Sequence, residues 1–102
     1  MAAPLASGNA VIIKPSDETP LSALWLGKIL EDIFPEGVLS VLTGGPELGS
    51  AICKHPDIAA VSLVGSVQTG KAVLKAAADS MKRTQLELGG KNALIILSLI
   101  HI

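Results

Sequence analysis

This sequence predicts a parallel α/β layer fold. Short apolar runs such as residues 10–14 (AVIIK) and 58–64 (IAAVSLV) show no in/out alternation, which is how strands covered on both faces read. Segments with apolar residues at helical spacing lie between these runs, and most runs stop at a Gly or Pro turn. Strands alternating with helices build an open parallel sheet with helices on both faces.

The elements follow in order. Residues 10–14 are bounded by Gly8-Asn9 and Pro15 and read as a buried strand. Thr19 is placed to cap a helix that opens at Pro20, where the missing N–H costs nothing. Leu21, Leu24, Trp25, Ile29 and Ile33 follow at helical spacing, and Phe34-Pro35-Glu36-Gly37 ends the helix. A second strand, 38–42, stops at Thr43-Gly44-Gly45-Pro46. A short helix over 46–54 is followed by the turn His55-Pro56-Asp57. The third strand, 58–64, turns at Gly65-Ser66 into an Ala-rich helix over 69–82. Two further strands, 84–88 and 93–96, are split by Gly89-Gly90-Lys91-Asn92. No repeat, low-complexity segment or linker interrupts this plan.

Composition narrows the function. A chain of 102 residues supports one domain. With one Trp, one Phe, no Tyr and a net charge of −1, it offers neither stacking rings nor a basic groove, so nucleic acid is not an expected partner. The single cysteine, Cys53, rules out an internal disulfide and reads as a small apolar residue on the inner face of its helix. No cationic leader opens the chain and no run reaches membrane-spanning length. The expectation is a cytoplasmic protein without a membrane partner, and no metal is expected.

Four motifs carry candidate chemistry. Lys14-Pro15-Ser16-Asp17 stands at the carboxyl end of the first strand, where open α/β sheets bind ligands. A lysine there can bond ribose hydroxyls or sit near a phosphate, and an acidic residue three positions on suits a diol and repels a 2′-phosphate. The bland alternative is a solvated Lys–Asp turn pair. Thr43 to Gly49 lacks the GxGxxG spacing, so by motif alone it is a turn and a helix start, its glycines allowing close approach to the backbone. Ser66 is placed to cap the next helix, whose free N–H groups favour an anion; capping alone is the simpler reading. Glu87 puts a carboxylate in the apolar run QLEL. It is either an edge-strand surface residue, half of a buried ion pair with Lys82, Arg83 or Lys91, or a general base whose pKa burial raises.

GNAVIIKPSDETP, FPEGVLSVLTGG, VSLVGSVQTGK and QLELGGKNA occur in the order and spacing of the aldehyde dehydrogenase superfamily, which the chain resembles from about Gly8 to Ile96. DIFPEGV, VSLVGSVQTG and MKRTQLELGGK are most similar, within it, to the γ-aminobutyraldehyde and related ω-aminoaldehyde dehydrogenases. The resemblance implies that residues 1–96 are part of a Rossmann-like NAD(P)-binding domain. It implies NAD as cofactor, with NADP the alternative, an aldehyde substrate, and a homo-oligomeric parent enzyme. Lys14 matches the lysine that holds the adenosine ribose, with Ser16 in the same motif, and Asp17 falls where many NAD-using members carry glutamate. Gly45 and Gly49 match the adenine pocket. Ser66 matches the serine that contacts the pyrophosphate, with Thr69 lining that pocket, and Val64 stands where the family usually has Thr. Glu87 matches the general base that activates water for thioester hydrolysis, and Leu88 the residue whose backbone faces the nicotinamide amide.

The family's nucleophilic cysteine follows LELGGK and its oxyanion asparagine precedes the first of these motifs. Cys53 lies on the wrong side of LELGGK, so the chain alone is expected to be inactive. Residues 97–102 (LSLIHI) match one reading frame of a transposon-end sequencing adapter and are expected to be a scar, leaving His101 without functional weight. The alternative from another class is a stand-alone α/β nucleotide-binding or signalling module. A receiver would want more acidic residues at strand ends than Asp17 and Glu87, and a flavin module an aromatic at the ring, where Trp25 is not placed. An evolved remnant that scaffolds a partner is a third reading.

Overall fold

A computed structural model describes residues 1–90. Helix α1 (Ala2–Ala6) has no counterpart among the expected elements. The others keep the expected order: β1 (Val11–Ile13), α2 (Leu21–Leu30), β2 (Leu39–Val41), α3 (Pro46–Lys54), β3 (Ala60–Gly65), α4 (Val67–Ala78) and β4 (Arg83–Leu88). The expected strand over 93–96 and the tail 97–102 lie outside the described residues.

Strand pairing among the described residues is parallel throughout. β1 pairs with β2, Val11 opposite Leu39 and Ile13 opposite Val41. β3 pairs with β4, Ala60 opposite Arg83 and Gly65 opposite Leu88. The chain divides into two compact units, Met1–Ile52 and the segment from Cys53 onward. Each contains one parallel pair with a helix against it: α2 on β2 in the first, α4 on β3 and β4 in the second.

In the first unit α2 begins one residue later than expected. Pro20 rather than Thr19 holds the capping place, no side chain caps the end, and Leu24 N donates to Pro20 O at 3.0 Å. The helix stops at Leu30, three residues early, and continues as a turn in which Ile33 N and Phe34 N both donate to Leu30 O, at 3.0 and 3.3 Å, before Pro35. Val38 N then donates to Pro35 O at 3.2 Å, closing a turn whose third residue, Gly37, sits at φ +82°, where a side chain would be strained. The large apolar residues of α2 do not face a core. Leu21, Trp25 and Ile29 are 77%, 66% and 53% exposed. The helix packs through Gly27 instead, where a Cβ would lie 2.8 Å from Val41 Cγ2. A residue without a side chain lets helix and strand approach closely, and that approach turns the bulky face outward.

The second unit has buried residues of its own: Cys53, Val73 and Ala77. Cys53 thus occupies the inner position expected of it. Burying a valine such as Val73 contributes roughly 2 kcal/mol. Exposure alternates along β3 and β4, contrary to the expected absence of alternation. Val61, Leu63, Thr84, Leu86 and Leu88 are half-buried, while Ser62, Val64, Gln85 and Glu87 are exposed. The register pairs like with like, Leu63 with Leu86 and Val64 with Glu87. Helix α4 packs on this pair, covering one face, while the alternate residues of the other face are exposed among the described residues.

Helix α4 starts at Val67, earlier than the expected Thr69, because Ser66 caps it. It closes with Met81 N donating to Ala78 O at 3.1 Å and Lys82 N to Ala77 O at 3.2 Å. This pair of bonds defines a Schellman end, and Met81 takes its left-handed residue at φ +50°, a place that favours glycine.

Candidate functional site

The sequence-predicted residues fall in two groups, one in each unit. In the first, β1 ends at Ile13 and delivers Lys14 to the turn beyond its carboxyl end. Lys14 Nζ donates to Asp17 Oδ1 at 3.2 Å and to Pro15 O at 3.3 Å. The Asp17 side chain is half exposed and that of Lys14 less so. An (i, i+3) pair this open adds little stability, about 0–1 kcal/mol. Its effect is to hold a cation and an anion side by side, with one of the ammonium's three donors left over. Ser16 is exposed and its Oγ accepts from Glu18 N at 3.4 Å.

The turn after β2 comes up against this pair. A Cβ on Gly49 would sit 3.9 Å from Lys14 Cδ, and one on Gly45 would sit 3.8 Å from Asp17 Oδ2 and 2.7 Å from Glu47 Oε2. A side chain at Gly45 would therefore crowd a corner flanked by two carboxylates. Sequence alone does not single out Glu47, because an acidic residue in the first turn of a helix reads as a favourable dipole partner. The signal that could have found it is its position two residues after the glycine pair.

In the second unit Ser66 and Thr69 form the start of α4. Ser66 Oγ accepts from Thr69 N at 3.1 Å and lies 2.9 Å from Thr69 Oγ1. Both residues are exposed, and the remaining N–H groups of the first turn point out of a 12-residue helix, a setting that suits an anion. The expected cap is present. Glu87 and Leu88 close β4. The Leu88 side chain packs on α4, where a Cβ at Gly70 would meet Leu88 Cδ1 at 2.6 Å. Glu87 points the other way and is exposed, so the described residues do not supply the burial expected for a general base.

The buried ion pair with Lys82 is also overturned. Lys82 is 8% exposed and donates from Nζ to His55 O and Ile58 O, both at 2.6 Å, rather than to a carboxylate. Among the described residues, the ion pairs are Lys14–Asp17 and His55–Asp57. Burial pushes the Cys53 thiol up, and the Lys82 ammonium offsets part of that. A protonated, buried thiol is a poor nucleophile, in line with its structural reading. No group of three or more His, Cys, Asp or Glu side chains among the described residues could hold a metal, and no described helix is long and apolar enough to cross a membrane.

A parallel α/β chain with a Lys–Asp pair beyond its first strand, a capped helix start after its third, and a carboxylate at the end of its fourth is the class these features define. Residues 1–101 match the profile of the Aldehyde dehydrogenase family. The chain is 54% identical over 95 residues to the aldehyde dehydrogenase tropH of Talaromyces stipitatus, covering 93% of this chain and 18% of that protein. It is 50% identical over 93 residues to 4-trimethylaminobutyraldehyde dehydrogenase A of Danio rerio, covering 90% and 18%. Among solved structures, PnpE in complex with nicotinamide adenine dinucleotide is 42% identical with a TM-score of 0.83, covering 87% of this chain and 19% of that one. Betaine aldehyde dehydrogenase of Staphylococcus aureus with NAD+ is 36% identical with a TM-score of 0.83, covering 86% and 18%. The chain belongs to the aldehyde dehydrogenase family. It spans about a fifth of the length of these relatives, 18% to 19%.

Proposed function

We propose that residues 1–96 are the core of the cofactor-binding domain of an NAD(P)+-dependent aldehyde dehydrogenase, one that oxidises an aldehyde, of the aminoaldehyde class, to its carboxylate. The observation that carries the cofactor reading is the corner at Lys14, Asp17, Gly45 and Gly49. It sets one donor-rich cation beside a carboxylate, with glycines where a side chain would intrude. That donor set fits a ribose diol. Lys14 would donate to the hydroxyls and Asp17 accept from them, Ser16 borders the same turn, and Gly45 and Gly49 bring backbone close to the pair. Ser66, Thr69 and the first N–H groups of α4 suit a pyrophosphate. When bound, the cofactor supplies the hydride acceptor.

Glu87 takes a proton from the water that releases the carboxylate product, and the Leu88 backbone would hold the cofactor's carboxamide. Glu87 is exposed here, and in this reading segments of the parent enzyme outside these 102 residues lend it the dry surroundings a base near neutral pH needs. Those segments also bring the nucleophilic thiol, because Cys53, the one cysteine here, is buried. The 102-residue chain alone accordingly produces no NADH from an aldehyde. The parent is proposed to be cytoplasmic and homo-oligomeric, and residues 97–102 to take no part.

The test places residues 8–96 in the corresponding stretch of the Danio rerio relative and substitutes Glu87→Gln. Loss of the base should slow steady-state turnover by a factor of about 10² to 10⁴ while NAD affinity holds. A burst of NADH near one equivalent per site should precede the slow phase, because the oxidation comes before the step that needs the base. A variant with unchanged steady-state rate makes Glu87 a surface carboxylate and sinks the assignment.

A further inference from the structure

Two carbonyl oxygens of one tight turn converge on a buried ammonium. The turn is closed by Ile58 N donating to His55 O at 3.2 Å, with Pro56 in the second position, where its fixed φ fits. Lys82 Nζ donates to His55 O and Ile58 O, both at 2.6 Å, across 27 and 24 residues of sequence. At 8% exposed, this ammonium needs its partners, since burying an unpaired charge is costly. Its place in the fold is specific. The turn lies just before β3, Lys82 immediately precedes β4, and the next contact up is Arg83 N to Ala59 O at 3.1 Å. The ladder then runs from Ala60–Arg83 to Val64–Glu87 and Gly65–Leu88.

We infer that Lys82 is a positioning residue whose ammonium fixes the register of β3 on β4, and so sets the level of Glu87 and Leu88 relative to the Ser66 turn; this rests on the reading of Glu87 and Ser66 as parts of one site. The strands need such a pin. Their half-buried positions, Val61 and Leu63 against Thr84, Leu86 and Leu88, recur at every second residue, and their other face is open. A slip of two residues would keep every side chain on its face, with the Leu88 contact at Gly70 the packing that resists it, yet carry Glu87 about 6.6 Å along the strand. The ammonium penalises that slip directly, because a shifted Lys82 leaves two carbonyls and a buried charge without partners. The left-handed turn at Met81 sends the chain inward at the next residue and so presents Lys82 to the turn.

The test uses the full 102-residue chain, isotopically labelled, as wild type, Lys82→Met and Lys82→Arg, with Lys71→Met as an exposed-lysine control. Methionine keeps the apolar stem and removes the donors. In Lys82→Met the helical signal should persist, amide exchange at Ile58 and Arg83 should quicken by about tenfold, and the cross-strand contact between Val64 and Glu87 should weaken as a second register appears. Lys82→Arg, which can still donate to both carbonyls, should restore one register, and Lys71→Met should change nothing. A single wild-type register with wild-type exchange in Lys82→Met overturns the inference. If Lys82→Met does not fold, exchange in the wild type decides. The Ile58 and Arg83 amides must open together if one clamp holds them, and independent opening rates overturn it. Titration of the wild type and of the chimera described above with NAD is read separately. Register loss in Lys82→Met with no NAD binding by either would sustain the clamp and sink the cofactor reading instead.

Discussion

Every buried residue among those described, Cys53, Gly70, Val73, Ala77 and Lys82, belongs to the second unit, while the first holds none. Strand length follows the same division: three residues each in β1 and β2, six each in β3 and β4. The groups proposed for selectivity stand on half-buried to exposed segments: Lys14 and Asp17 on a turn with one open ion pair, Gly45 just before α3 and Gly49 within it. The group proposed for chemistry, Glu87, stands on a strand pinned at one end by a buried ammonium and packed at the other on α4. The difference shows where each job tolerates play. Recognition of a ribose survives small movements of a flexible ammonium, whereas proton transfer needs its base held within a fraction of an ångström.

The comparison breaks most visibly at the two helix glycines that meet strands. Gly70 is buried, and a Cβ there would meet three Leu88 side-chain atoms at 2.6, 2.7 and 3.2 Å. A Cβ on half-buried Gly27 would meet one Val41 methyl inside 3 Å, at 2.8 Å. Gly70→Ala should destabilise by about 2 kcal/mol, the overpacking of a packed site exceeding the roughly 1 kcal/mol of helix propensity regained. Gly27→Ala should cost less, about 1 kcal/mol, because one Val41 methyl rather than three Leu88 atoms must shift and the propensity gain offsets part of that. Urea unfolding of both variants checks the order, and a larger loss at Gly27 would contradict the idea that only the second unit is tightly packed.

Selectivity is the smaller lever and should reside in the first unit alone. Like-charge repulsion between Asp17 and a 2′-phosphate is on the order of 1 kcal/mol at a partly exposed site. In the completed enzyme Asp17→Ser should therefore raise the NADP-to-NAD efficiency ratio by about fivefold without changing kcat with NAD. Adding Glu47→Gln should raise it further, since Glu47 flanks the same glycine. An unchanged ratio in both variants removes these carboxylates from the ribose.

A gain rather than a loss is expected at Met81, which is 89% exposed and sits at φ +50°. Glycine there relieves the backbone strain, while its greater freedom in the unfolded chain takes part of that back. Met81→Gly should raise stability by about 0.5 to 1 kcal/mol, a shift of a few degrees in Tm. A loss of stability would mean that the side chain, not the turn, matters there.

Much of this was written in local residue patterns. The order of strands and helices followed from β-branched runs punctuated by Gly and Pro, because such signals act over a few residues. Ser66 as a cap and Cys53 as an inner residue were legible for the same reason. LELGGK and its three companion motifs pointed to the family that the profile match then established. Tertiary structure decided what depends on which groups meet. Leu21, Trp25 and Ile29 have the spacing of a core face, yet Gly27 docks α2 and leaves them outside. The apolar letters of β3 and β4 suggested strands covered twice, but a covered face needs a second layer, and the face away from α4 is exposed among the described residues. Glu47 joined the Asp17 corner only when the β2 turn folded against β1. Lys82 showed the limit most clearly. Nothing in its neighbours announces a buried charge, because its partners are carbonyl oxygens, which every residue carries, and only the fold brings two of them from 24 and 27 residues away to one ammonium.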